Sequence, residues 1–129
     1  MNRFKFSGVP ITDDEGHLVG ILTNRDIRFC EGTDFDRPVT DFMTSDRLVT
    51  AAVGTSLDEA KLLLQEHRIE KLPLVDGVGC LAGLITVKDI QKRQEFPNAT
   101  RDGAGRLRCA AAVGVGPDLE HRVEALHAM

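Results

Sequence analysis

The segment Phe6–Ile27 returns as Ile69–Ile90, without a gap and 63 positions further along the chain. Pro10 matches Pro73, Asp13 matches Asp76, and Gly16 and Gly20 match Gly79 and Gly83. Thr23 and Asp26-Ile27 match Thr86 and Asp89-Ile90, and Arg25 keeps its charge as Lys88. Self-similarity of this kind marks a supersecondary unit that cannot bury its apolar face alone and does so against its copy. A fold for this chain must therefore bring two equivalent units together. The second copy is preceded by a long segment of its own, residues 28–68, and the first by almost nothing. The first unit thus reads as truncated and the chain as an incomplete piece.

Both copies carry the same local signals. Val9-Pro-Ile-Thr12 and Leu72-Pro-Leu-Val75 predict short strands whose proline suits a strand start or edge. Asp13–Gly16 and Asp76–Gly79 are polar, glycine-containing turns that return the chain as a hairpin. Leu18–Leu22 and Leu81–Ile85 are continuous apolar runs and predict buried strands. Thr23-x-x-Asp26 and Thr86-x-x-Asp89 then each open a helix with a capping-box pattern.

Between the copies, Asp41–Thr44 reads as a docking turn and Leu48-Val-Thr50 as a strand. Ser56-x-x-Glu59 is another capping box and predicts a helix through about Arg68. Leu57, Ala60, Leu63 and Leu64 share one face of that helix, while Lys61, Gln65 and Glu66 fall away from it. A full unit is therefore strand, helix, strand, strand, helix. After Pro97 the texture changes to a polar, glycine-rich loop, 98–108. Cys109–Val115 follows as a small-residue apolar run, typical of a strand buried on both faces. Pro117-Asp118 then starts a helix with Leu119, Val123 and Leu126 on one side. The expected class is α/β (α+β), with boundaries at 1–36, 37–93 and 94–129.

Bulk properties exclude several functions. An apolar content of 42% and a charged content of 28% belong to a globular protein with a core. A net charge of −4 and pI near 5.5 argue against nucleic acid or an anionic membrane as partner, since either needs a basic field. No apolar run reaches the roughly 20 residues that span a bilayer. The first residues lack the apolar segment of a signal peptide, so a cytoplasmic location is expected. Cys30, Cys80 and Cys109 are odd in number and widely spaced, which predicts reduced, mostly buried thiols. The four histidines show no ligand spacing with them, so no metal site is expected.

The site-like feature is the strand-to-helix junction, Gly20–Asp26 and Gly83–Asp89. A helix N-terminus offers free N–H groups and partial positive charge, which favour phosphate. Thr23 and Thr86 add a hydroxyl, and Arg25 and Lys88 a full positive charge. An ionised Asp26 or Asp89 only accepts hydrogen bonds and so suits a ribose diol. Together they describe a nucleotide pocket that reads phosphate and sugar separately. The same Thr and Asp also describe a plain helix cap, and a cap has no need of the cation.

The doubled junction, each copy preceded by its hairpin, resembles a tandem pair of CBS modules over residues 6–93. A narrower resemblance, to the CBS insert of the inosine-5′-monophosphate (IMP) dehydrogenase family, is carried by 7–12, 20–29, 39–44, 66–75, 83–90 and 96–102. Gly105–Gly114 is similar to the point where that family re-enters its catalytic barrel. The resemblance implies CBS-type β-α-β-β-α units, the first truncated and the second complete, followed by one β-α unit of a (β/α)₈ barrel. It implies a regulatory region that binds a purine nucleotide such as ATP or GTP. The parent enzyme would oxidise IMP to XMP with NAD in GMP biosynthesis and assemble as a homotetramer or higher. The chain alone is expected to be inactive and to hold no cofactor, because nothing in it matches the family's cysteine loop or flap. The implied nucleotide contacts are Thr86, Lys88 and Asp89, with Leu72, Pro73, Val49 and Thr50 as walls. Thr23, Arg25 and Asp26 form a lesser set, since their unit has no opening strand. A ligand-free structural or oligomerisation module, and a CBS pair from another host protein, are the alternatives.

Overall fold

The duplicated segment folds twice into the same antiparallel hairpin in a computed structural model that describes residues 6–103 and 105–128. Residues 1–5, on which the absence of a signal peptide was read, lie outside the described residues, as do Ala104 of the polar loop and Met129. In chain order the elements are β1 (Gly8–Thr12), β2 (Leu18–Thr23), β3 (Ala51–Ala52), α1 (Leu57–Glu66), β4 (Lys71–Val75), β5 (Leu81–Thr86), α2 (Val87–Glu95) and α3 (Leu119–His127). Two short 3₁₀ turns, Gly32–Asp36 and Val39–Asp41, lie between β2 and β3.

The two hairpins share one register. Gly8 opposes Thr23 and Lys71 opposes Thr86, and the pairing slips at the equivalent place, after Ile11 and after Leu74. The turns match as well: Gly16 and Gly79 both have φ +92°, which a side chain would resist. The hairpins then join to each other through equivalent residues. Leu18 N donates to the Gly79 carbonyl at 3.1 Å, and Leu81 N donates to the Gly16 carbonyl at 2.9 Å. His17 and Cys80 pair across this seam. Each of these partners lies 63 positions from its equivalent, so a local pseudo-two-fold axis passes between His17 and Cys80.

The apolar core belongs to the second repeat. β3 pairs in parallel with β4, and α1 provides the crossover that a parallel pair requires. Ala60 and Leu64 of α1, Leu72 of β4 and Ile85 of β5 are buried, with Leu57, Leu63, Leu74, Val87 and Ile90 packed around them. Ser56 caps α1: its hydroxyl accepts from Glu59 N while Ser56 N donates to the Glu59 carboxylate. The helix stops at Glu66 rather than Arg68, because Arg68 takes a left-handed φ of 54° and closes the last turn. In the first repeat Thr44 pairs with Ile21 in place of a further strand, and Met43 fills the space above Gly20.

Several local expectations are corrected. The strand expected at Leu48-Val-Thr50 forms at Ala51–Ala52, where the backbone comes level with Leu74 and Val75. No α-helix follows Thr23: residues 24–29 form turns, with Asp26 N donating to the Thr23 carbonyl and Cys30 N to that of Ile27. In the second repeat α2 has α1 to pack against, whereas the turns after Thr23 have no preceding helix of their own. Cys109–Val115 forms no strand and is largely exposed, because the described part of that unit supplies no strand to flank it. Cys109 is accordingly exposed, and Cys30 and Cys80 are half-buried, rather than mostly buried as read.

Residues 96–129 form a separate unit. Within it Arg101 and Leu107 pair across a short loop that is held by Arg106 Nε on Asp102 at 2.7 Å. Asp118 occupies the N-cap position of α3 without a side-chain hydrogen bond. Among the described residues no helix is long and apolar enough to cross a membrane.

Candidate functional site

Both junctions line clefts, and the junction residues that line them largely correspond across the repeat. The second-junction cleft, about 390 Å³, is lined by Leu84, Thr86, Val87, Lys88 and Gln91. The first-junction cleft, about 350 Å³, is lined by Ile21, Thr23, Asn24, Arg25 and Arg28, the residues 63 positions earlier, and by Asp26. Each is closed by the start of the hairpins: Ser7, Glu70 and Lys71 line both. These volumes fall within the range of about 300–1,000 Å³ common for small-molecule sites. The hairpin ends are fixed in the same way on both sides, by Asn24 N on the Ser7 carbonyl and Val87 N on the Glu70 carbonyl, each 3.0 Å.

Lys71 sits between the clefts. Its side chain is only 10% exposed, and a Cβ placed on Gly8 would lie 2.8 Å from its Cε, so the aliphatic stem runs directly over Gly8. Gly8 and Lys71 are themselves equivalent positions. The pseudo-two-fold thus needs a residue without a side chain on one side to seat a long one on the other. The ammonium lies 3.9 Å from the exposed carboxylate of Glu70.

The aspartates grip the threonines. Asp89 Oδ2 accepts from Thr86 N at 2.8 Å and from Thr86 Oγ1 at 2.7 Å, and Asp89 N donates back to Thr86 Oγ1 at 3.3 Å. Asp26 Oδ2 accepts from Thr23 N at 2.6 Å and Thr23 Oγ1 at 2.7 Å. Its own N–H goes to the Thr23 carbonyl, as a tight turn requires, instead of to the hydroxyl. Only the second junction closes the box in both directions and continues into a helix.

The remaining residues singled out from sequence lie behind this surface. Leu72 and Pro73 are buried on β4, with Leu72 wholly inside the core. Val49 packs on the same core and Thr50 is half-buried beside it. Thr86 and Lys88 line the cleft, whereas Asp89 reaches it through Thr86. Sequence reasoning did not single out Arg28, Arg68 or Ser7. The repeat offset pointed to Ser7 as the counterpart of Glu70, and Arg28 lies three residues beyond Arg25. Arg68 carries no such signal. At the hairpin tip, ligand-type atoms of Asp13, Glu15 and His17 lie within 4.8 Å of one another, a grouping that spacing alone did not suggest. Asp13 already holds His17 there, accepting from its N–H at 2.7 Å and pairing with Nδ1 at 3.0 Å.

The hairpin-and-junction architecture has a family counterpart. The CBS domain model matches residues 1–30 and 39–95. The chain belongs to the CBS domain family. Its tandem CBS region is homologous to that of IMP dehydrogenases, with 52% identity over 126 residues to the enzyme of Aquifex aeolicus and 57% over 126 residues to that of Halalkalibacterium halodurans. Each match takes in 98% of this chain, which spans about a quarter (26%) of the length of those relatives. Among solved structures, a Trypanosoma brucei GMP reductase in complex with guanosine 5′-monophosphate aligns over 95% of this chain and 26% of its own, with TM-score 0.72 and 29% identity. A CBS domain pair in complex with 5′-methylthioadenosine and S-adenosyl-L-methionine shares the fold, with TM-score 0.62 and 24% identity over 75% of this chain and 77% of that one.

Proposed function

We propose that the chain is the purine-nucleotide-sensing CBS region of an IMP dehydrogenase-like protein. The observation that carries this reading is the pair of equivalent clefts, each with a threonine, a cation and an aspartate at its junction. Helix capping accounts for the Thr–Asp contact but not for Lys88 or Arg25, which line the clefts and cap nothing. Identity of 52–57% along 98% of the chain supports the parent. In this reading Lys88 and the N-terminus of α2 take phosphate from ATP or GTP. Asp89 holds Thr86 in place and offers its second oxygen to the ribose. Leu72, Pro73, Val49 and Thr50 support the wall behind it. Thr23, Arg25 and Asp26 form the counterpart site, and 1–36, 37–93 and 94–129 are the truncated unit, the complete unit and the returning barrel segment.

The parent would convert IMP, NAD and water to XMP and NADH for GMP biosynthesis in the cytoplasm, and this region would adjust its assembly. Self-association belongs to the same reading: Phe29 and Phe35 are 88% and 67% exposed beside the truncated unit. The purified chain should bind ATP or GTP in calorimetric titration and show no IMP-dependent NAD reduction. Heat-silent titrations with both nucleotides would sink the sensing role, and turnover above a no-protein control would sink the regulatory assignment. A second reading, a ligand-free structural module, is favoured by the hydrogen bonds that already occupy Oδ2 of both aspartates. It predicts indifference to nucleotide.

A further inference from the structure

We infer that the two clefts divide the ligand's chemistry, the first-junction cleft taking the greater part of a polyphosphate chain and the second-junction cleft the nucleoside end with the phosphate nearest it, at Lys88. The inference deepens the nucleotide-sensing reading, and rests on it only for the nucleoside half.

The hairpins that frame the two clefts share one register, while Thr86 leads into α2 and Thr23 into turns. The difference in charge lies in side chains exchanged across the pseudo-two-fold. Asn24 stands where the other cleft has Val87, and Arg28 where it has Gln91. Arg68 also lines the first-junction cleft, while Phe6 lines the second. The first-junction cleft therefore gathers Arg25, Arg28 and Arg68 beside Lys71, on a chain whose net charge is −4. Among the described residues none of the three arginines is in an ion pair with a carboxylate. The cleft's own carboxylates face elsewhere, Asp26 to Thr23 and Glu70 to Lys71.

Unpaired guanidiniums converging on one concavity repel each other and gain most from an anion with several oxygens, which arginine binds in bidentate fashion. Arg68 sits there in a left-handed conformation (φ 54°) that glycine would adopt more cheaply. The second-junction cleft keeps one lysine of its own. Leu84 is matched by Ile21 of the first, but Val87 replaces Asn24 and the ring of Phe6 replaces Ile69, which suits the second better to a purine face. A di- or triphosphate chain is the class that fits the first, and it could come from a nucleotide or from inorganic polyphosphate.

The test titrates inorganic tripolyphosphate, ATP and adenosine into the 129-residue chain and into Arg28→Gln, Lys88→Gln and Gln91→Arg. Tripolyphosphate should bind the wild type, lose roughly tenfold or more in affinity in Arg28→Gln, and weaken steeply with salt. It should lose less in Lys88→Gln than in Arg28→Gln. Gln91→Arg should create a second tripolyphosphate site. ATP binding tenfold tighter than tripolyphosphate marks a nucleotide as the source, and equal affinity marks free polyphosphate. Tripolyphosphate affinity that survives Arg28→Gln but falls in Lys88→Gln would overturn the assignment, as would ATP binding with no tripolyphosphate binding at all. Tripolyphosphate binding through Arg28 without any adenosine or ATP binding would leave the polyphosphate site standing and remove the nucleotide reading.

Discussion

Replacing Asp89 separates the capping role of the second junction from its proposed nucleotide role. In Asp89→Ala the two hydrogen bonds from Thr86 N and Thr86 Oγ1 to Oδ2 are lost, and of the junction's three bonds the one from residue 89's own N–H stays. Loss of a cap costs about 0.5–2 kcal/mol, and a small domain drops about 4–8 °C in Tm for each kcal/mol. If Asp89 also accepts from the ribose, losing charge-assisted hydrogen bonds costs about 1.5–3 kcal/mol of binding, or ten- to hundred-fold in affinity. Asp89→Asn distinguishes the two effects. Its amide oxygen can still accept from Thr86, so Tm should stay within a few degrees of wild type, while the loss of charge still weakens ribose binding. Asp26→Ala is the control: its carboxylate closes a turn that leads into no helix, and it should change nucleotide affinity little. Thermal melts read the first effect, and calorimetric titration with ATP and GTP reads the second. A Tm loss in Asp89→Ala with nucleotide affinity unchanged in every variant would refute the sensing role of this junction and leave it a helix cap.

Leu72→Ala should destabilise the CBS pair by about 2–5 kcal/mol in urea titration, because Leu72 is fully buried at the centre of the core. A loss under about 1 kcal/mol would show that the core is not centred there. Glu59 is held below the usual glutamate value by the Ser56 hydroxyl first and then by the Ser56 N–H. Its contribution to stability is therefore fully present above the ordinary value of 4.5 and is lost as pH falls through the lower folded value. Carboxyl titration by NMR should show Glu59 returning toward that ordinary value in Ser56→Ala. Gly8→Ala should displace the Lys71 stem, since the new methyl would sit 2.8 Å from Cε, and weaken anion binding in both clefts with little loss of Tm. Sedimentation at tens of micromolar, a rough range for weak association, should show self-association, and a clean monomer would count against it.

Both hairpins, α1 and α2 are legible in the sequence because local patterns decide them. Short apolar runs and turn glycines set the strands, and Ser56-x-x-Glu59 and Thr86-x-x-Asp89 mark helix starts in residues that do make those bonds. β3 is only two residues long and exists by pairing with β4, so no local pattern could separate Ala51–Ala52 from the apolar stretch just before it. The junction at Thr23 carries the same local signal as that at Thr86, yet only the latter becomes a helix. What differs is tertiary: α2 rests on α1, and the turns after Thr23 lack that support. Cys109–Val115 fails as a strand for the same kind of reason, since a buried strand is defined by its neighbours. Of the site, the threonines, cations and aspartates are legible from repetition. Arg68 is not, because its place in the cleft depends on how α1 ends.

The seam between the hairpins explains how such a duplication can specialise. Its main-chain bonds join Leu18 to Gly79 and Leu81 to Gly16, beside a Cys80 Sγ contact to the Glu15 carbonyl at 3.8 Å, and the hairpin ends are tied by Asn24 N and Val87 N. Side-chain identity at positions 24 and 87, or 28 and 91, does not enter those bonds. One copy can therefore carry Asn and Arg, and the other Val and Gln, without disturbing the local pseudo-two-fold that aligns the clefts. The positions that cannot drift are those where a side chain crosses it. Gly8 must stay small because Lys71 occupies its space, and that same lysine is the cation both clefts share. If the clefts bind phosphate as proposed, a phosphate that recruits Lys71 into one cleft removes positive charge from the other, and occupancy of the two sites would be linked through a single ammonium.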